Sequence, residues 1–170
     1  MKKIFIMTVV VMSVIYSQNN PDLQQLAREY FQWRTATQPV TPDDVPRVAR
    51  TDGWVPDFSP AALRDYRQQY QQFRSALASI PQTGWTRSDS VDYLLLRSAI
   101  ERVNWELNVL NLPGTHPEFY VQQTLGSVFD LLIISSTFTE QRIDNLIRRL
   151  NAVPGTLDAA RGNLTDPVQP

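Results

Sequence analysis

One histidine and no cysteine limit the chemistry this chain can perform. His116 lies in "NLPGTHPEFY", between a turn and an apolar run. Histidine catalysis requires a partner that orients the ring, and a catalytic zinc site usually takes about three protein ligands. With no second imidazole and no thiolate available, His116 reads as the residue that ends one helix and starts the next, beside Gly114 and Pro117. The carboxylates offer no better constellation. Asp43 and Asp44 are adjacent in a proline-rich stretch, where turn or cap roles prevail, and Glu140 with Asp144 falls in the first turns of a helix, where the dipole favours acids. Ser127 in "LGSVF" lacks both the glycine-flanked nucleophile elbow and a histidine base, and the six glycines form no phosphate-binding loop. "NLT" at Asn163 matches a glycosylation sequon, but so short a pattern carries no weight alone. Trp33, Trp54, Trp85 and Trp105 stand at scattered spacing and read as packing, not as an aromatic cage. The residues therefore nominate no catalytic, cofactor-binding or metal-binding position in this chain.

The elements that hold these residues begin with a segment of a different kind. Lys2 and Lys3 precede an apolar or small stretch from Ile4 to Ile15, after which "YSQNN" turns polar. Two cations and about a dozen apolar residues describe a secretory signal peptide, whereas a spanning helix needs about 20. The expected division is a signal peptide over 1–17 and a single domain over 18–170, exported to the periplasm or the cell exterior, with no membrane association after cleavage. The chain's 170 residues, 42% of them hydrophobic, suit one domain with a real core. Without cysteine, that core receives no help from disulfides. Loss of both lysines leaves 14 arginines against 17 acids, spread along the chain, so no nucleic-acid partner is expected. The one local cationic pair, Arg148 and Arg149, suits a helix C-terminal end.

Beyond the signal, periodicity predicts helices throughout. Asn20 and Pro21 open the first, with Leu23, Leu26, Ala27, Tyr30, Phe31 and Arg34 on one stripe. Prolines 39, 42, 46 and 56 then make a long loop over 37–57, which Trp54 and Phe58 can anchor as a wrapping segment. Ser59 caps a second helix with Leu63, Tyr66, Tyr70, Phe73, Leu77 and Ile80 at alternating spacings of three and four, and Pro81 stops it. Ser88 is the expected cap of a third, with Tyr93, Leu96, Ile100, Val103, Leu107 and Leu110 inward and Leu94, Leu95, Trp105 and Val109 supplying apolar surface for further neighbours. Pro117 opens a fourth, apolar enough around Phe119 to Ile134 for burial on several faces. Thr139 caps a fifth with Ile143, Leu146, Ile147 and Leu150, and Pro154 introduces a weaker sixth with Leu157, Ala160 and Leu164. No alternating strand pattern competes, so the fold class is all-α: an antiparallel bundle of about five to six helices with a proline-rich wrapping loop.

The order of "DGWVPDFSPAAL", "VDYLLLRSAIE", "HPEFYVQQTLGSVFDLL" and "RIDNLIRRLNAVPGTLDAARGNL" resembles the amino-terminal part of the bacterial family called domain of unknown function 885. The most distinctive matches are Trp54, Pro56, Asp57, Phe58, Ser59 and Pro60, then Asp92 and Tyr93, then His116, Pro117 and Tyr120. The resemblance implies an exported, mostly helical zinc metallopeptidase, related in fold to helical carboxypeptidases, whose second half carries an HExxH helix. Such a helix holds zinc between two histidines four apart, with the glutamate activating water, and a chain with one histidine cannot contain it. Two readings follow. In one, the chain is the amino-terminal scaffold of such an enzyme, inactive alone and free of cofactor, zinc belonging to a carboxy-terminal catalytic half that would be its partner around a peptide substrate. In the other, it is a small secreted helical binding module without enzymatic activity. The first is favoured, because "GNLTDPVQP" follows a weak helix that leaves helices three and four uncovered. It predicts exposed apolar side chains among Leu94, Leu95, Trp105, Val109, Phe129, Leu132 and Ile133.

Overall fold

The structure is a computed structural model that describes residues 20–37, 50–133 and 137–165. The expected signal peptide, Asp43 and Asp44, and most of the proline-rich loop lie outside the described residues. Within them all regular structure is helical: α1 (Pro21–Thr37), α2 (Pro60–Ser79), α3 (Arg87–Asn104), a π turn (Trp105–Val109), the single turn α4 (Leu112–Thr115), α5 (Pro117–Val121), a second π turn (Gln122–Gly126), α6 (Ser127–Ile133) and α7 (Glu140–Asn163). The fold is all-α.

Local chemistry sets most of the helix starts. The Asn20 side chain accepts from the Leu23 amide at 3.0 Å, Ser59 from that of Ala62 at 3.3 Å, and Thr139 from that of Arg142 at 3.3 Å. The third helix is capped two residues before the expected Ser88. Thr86 caps it, because Asp89 three residues on returns a bond to the Thr86 amide and closes a capping box that Ser88 could not form. The same Asp89 carboxylate accepts from the Asn20 amide at 2.6 Å, so one side chain ties the starts of α1 and α3 together. These bonds, that from Asn20 first and those from Thr86 next, hold its carboxyl below the usual carboxylate range against the opposing effect of burial.

α1, α2 and α3 enclose the core in the expected manner. Leu23, Leu26, Tyr30, Trp33, Leu63, Tyr66, Tyr70, Leu77, Leu96, Ile100, Val103 and Leu107 form one buried cluster, joined by Phe58 from the wrapping segment. Leu110 departs from its stripe and is exposed. The π turn over Trp105–Val109 adds a residue to the helical turn, so the phase that buries Leu107 has rotated outward three positions later. Inside this apolar core, Arg34 is only 2% exposed and places both terminal nitrogens on the Glu106 carboxylate, at 3.0 and 3.1 Å. Arg102 adds a third bond to Glu106 at 3.2 Å.

The carboxy-terminal hairpin reverses the pattern. α5 to α6 bury Phe119, Tyr120 and Val128, but also Gln123, Thr124 and Ser127, while Val121, Leu125, Phe129, Leu132 and Ile133 face outward. The expected burial of this helix on several faces is not found. α7 turns Arg142, Asn145, Arg149, Thr156 and Ala160 inward and leaves Ile143, Ile147, Leu150 and Leu157 exposed. It is also one helix, not two. Pro154 removes the bond to the Leu150 carbonyl, at a cost of about 3 kcal/mol in a helix interior. Contacts on both sides of the proline hold the helix straight through: Arg149 donates to the Ser127 carbonyl before it, and Asn163 to the Phe58 carbonyl at 2.7 Å after it.

Candidate functional site

The inward polar row of α7 reads the backbone of its neighbours. Asn145 accepts from the Gly53 amide at 2.8 Å and donates to Asp52 at 3.0 Å, and Thr156 reaches the Pro56 carbonyl at 3.4 Å. Arg142 closes on the carbonyl of Leu131 at the end of α6. Arg149 lies over the Trp54 ring at 5.3 Å, with Arg50 at 5.1 Å from the same ring. It is therefore a buried clamp and not the surface cation expected for a helix C-terminal end. Burial lowers its guanidinium pKa from the ordinary value, with Asp130 opposing. The described part of the loop does wrap, then, and α7 is what it wraps against.

Where the segment reaches α2, three elements converge. Phe58 stacks edge-on against Phe119 at 4.9 Å, the Tyr120 hydroxyl donates to the Pro113 carbonyl at 2.7 Å, and Asn163 donates to that hydroxyl at 3.0 Å. Burial raises the Tyr120 pKa, and the Asn163 bond works against it. Asn163, read from sequence as a sequon too weak to count, is thus committed to internal bonds. Between this junction and the first turns of α2 lies a groove of about 230 Å³ lined by Pro60, Leu63, Arg64, Arg67, Asn111, Pro113, Gly114 and Asn163.

The groove owes its shape to the break after α3. Asn111 adopts a left-handed conformation with φ of 47°, which asparagine tolerates better than other side chains. Its side chain then lies across Gly114, where a Cβ would come within 2.2 Å of Asn111 Nδ2 and would push that carboxamide aside. Arg67 fixes the other end of that carboxamide, donating to Asn111 Oδ1 at 3.3 Å and to the Leu107 carbonyl at 3.2 Å. Arg64, one turn earlier on the same face, is exposed and forms no ion pair among the described residues.

His116 stands at the edge of this junction. It ends α4 and precedes Pro117 at the start of α5, with Nδ1 at 2.7 Å from the Thr115 hydroxyl. No group of three or more histidine, cysteine, aspartate or glutamate side chains converges among the described residues. Ser127 is buried and donates to the Thr124 carbonyl at 2.9 Å, away from any base. Trp33 and Trp54 are core residues, Trp85 packs on Tyr93 at 5.2 Å, and Trp105 is exposed.

Set against known protein families, residues 42–169 match the one described as bacterial protein of unknown function (DUF885). The chain belongs to this family. Comparison with curated proteins and with solved structures yields no match. The DUF885 segment contains the wrapping segment, the groove and the whole carboxy-terminal hairpin, while α1 precedes it. The DUF885-like residues noted in the sequence fall into two places. Trp54, Pro56, Phe58 and Tyr120 contact α7, Pro117 opens α5, which carries Tyr120, and Asp57 accepts from the Ser59 amide at 2.9 Å where α2 starts. Asp92 and Tyr93 sit apart, Asp92 accepting from Gln24 of α1 at 2.8 Å.

Sequence reasoning missed the groove, although it left a signal. Arg64 and Arg67 are three apart on one helix face, and positions 60, 61, 63, 68, 70 and 71 carry no acid to balance them.

Proposed function

We propose that this chain is the amino-terminal scaffold of an exported zinc metallopeptidase-like protein, and that its outward apolar rows on α5 to α7 are the seat of a carboxy-terminal catalytic half. The observation that carries this reading is the reversed hairpin. On the hairpin, Phe129 at 60% and Ile133 at 71% exposure stand in water, with Leu125, Leu132, Ile147 and Leu157 also exposed, and Leu94, Leu95, Trp105 and Val109 of α3 and the π turn after it add to the uncovered apolar surface. Each such side chain forgoes about 1.5 to 3 kcal/mol of burial, so a partner covering several would be held firmly. A large exposed apolar patch on a polar-cored element is what an interface looks like before its partner arrives.

The donor set of this chain does not fit zinc. Its one imidazole faces the Thr115 hydroxyl, and no second histidine or cysteine exists to join it. In this reading the ion belongs to the other half, and the scaffold's contribution is to form one wall of a peptide-binding cleft. Export follows from the apolar segment behind Lys2 and Lys3, removed near Ser17.

The gene product recovered from its bacterium, with whatever coding sequence follows Pro170, tests this. The expected result is a mature mass lacking residues 1–17, about one zinc per chain, and peptide hydrolysis lost when the present chain is expressed alone. A gene that stops after Pro170, yielding a metal-free monomer that binds no hydrophobic dye, would transfer the reading to a secreted helical binding module.

A further inference from the structure

The groove beside α2 has features that the docking reading does not use. Arg64 and Arg67 occupy neighbouring positions on one helix face, where like charges repel. They also lie one and two turns from the N-terminal end of α2, the end at which the helix dipole favours negative charge. No acidic side chain lines the groove. Arg67 bonds only neutral oxygens, those of Leu107 and Asn111, so its charge is oriented without being compensated. Asn111 is held by Arg67 through Oδ1, and its Nδ2, lying against Gly114, donates to no group among the described residues. Two guanidinium groups and one amide donor thus line a space of about 230 Å³, below the 300 to 1,000 Å³ typical of drug-sized ligands but sufficient for a single charged group.

We infer that this groove binds an oxyanion, either a phosphate group or the carboxylate that ends a chain. Guanidinium groups recognise both through paired N–H donors, and the anion relieves the repulsion between Arg64 and Arg67. Pro60 and Pro113 stiffen two walls, and Gly114, by lacking a Cβ, leaves room for the Asn111 carboxamide on the third.

Titration of the full chain with inorganic phosphate, with an N-acetylated dipeptide acid and with the corresponding dipeptide amide tests the inference, read by the side-chain NH2 resonances of Asn111 and Asn163. Saturable shifts with phosphate, with the acid, or with both are expected in roughly the millimolar range, and none with the amide. Saturation by phosphate alone identifies a phosphate-bearing ligand, and by the acid alone a chain-end carboxylate. Arg64→Gln and Arg67→Gln should each weaken the response about tenfold or more. Arg97→Gln, the same charge change at an exposed position of α3 outside the groove, should leave it intact. Because Arg67 also holds the turn after α3, Arg64→Gln carries the result if Arg67→Gln unfolds. Non-saturating drift, equal weakening by Arg97→Gln, or equal binding of the amide would overturn the inference.

Discussion

α1 to α3 and the hairpin of α5 to α7 carry the same helical spacing of apolar residues and use it in opposite ways. In the first region the stripes of Leu23 to Trp33, Leu63 to Leu77 and Leu96 to Leu107 turn inward and build the core. In the second, Ala160 is the sole α7 residue in the buried cluster, while Ile143, Ile147, Leu150 and Leu157 point away and Arg142, Asn145, Arg149 and Thr156 turn in. Periodicity establishes that a helix has a stripe. It does not say which neighbour the stripe is for. A polar row can face the interior when its groups find partners, and on α7 the partners are backbone groups of residues 53, 56, 127 and 131. The apolar row is thereby released for a surface beyond the hairpin.

The contrast can be sharpened by substitution. Glu106→Gln should have the largest effect, a loss of about 3 to 5 kcal/mol in chemical denaturation, because it removes the carboxylate that Arg34 and Arg102 share inside the core. Next comes a matched pair. Ile100→Ala in α3 should cost about 2 to 5 kcal/mol, whereas Ile147→Ala in α7 should stay within about 0.5 kcal/mol on the same assay. Similar costs at both sites would remove the distinction between the two regions. A smaller effect belongs to Asp89, whose folded-state pKa lies below its unfolded value near 3.8. A depressed carboxyl stabilises the fold above the unfolded pKa and loses that contribution as pH falls through the folded one. Stability should therefore drop on acidification below about pH 4, and in Asp89→Asn that part of the slope should be missing.

The caps at Asn20, Ser59 and Thr139, the prolines that follow two of them and the inward stripes of α1 to α3 were legible, because each is a contact within one or two helical turns. Thr86 was legible too, had the Thr-x-x-Asp spacing been weighed over the nearer Ser88. Leu110 was not, since a π turn shifts the phase of a helix without a residue type that announces it. Pro154 reads locally as a stop, and only the long-range bonds of Arg149 and Asn163 explain why the helix continues. Arg34 was placed on the correct stripe for the wrong chemistry: its partner Glu106 is 72 positions away. The groove joins residues from 60 to 163, and of its lining only the unbalanced Arg64 and Arg67 can be seen in the sequence.

The central claim, that the apolar row of the hairpin belongs to an interface and not to the fold, is tested most directly by Phe129→Gln, Ile133→Gln and Ile147→Gln combined. Glutamine keeps helix propensity close to that of the residues it replaces, so only the exposed apolar surface changes. The parent chain should bind the dye ANS and self-associate, and the triple variant should lose both while melting within a few degrees of the parent. Loss of the cooperative transition in the triple variant, or a parent chain already monomeric and dye-silent, would contradict the account.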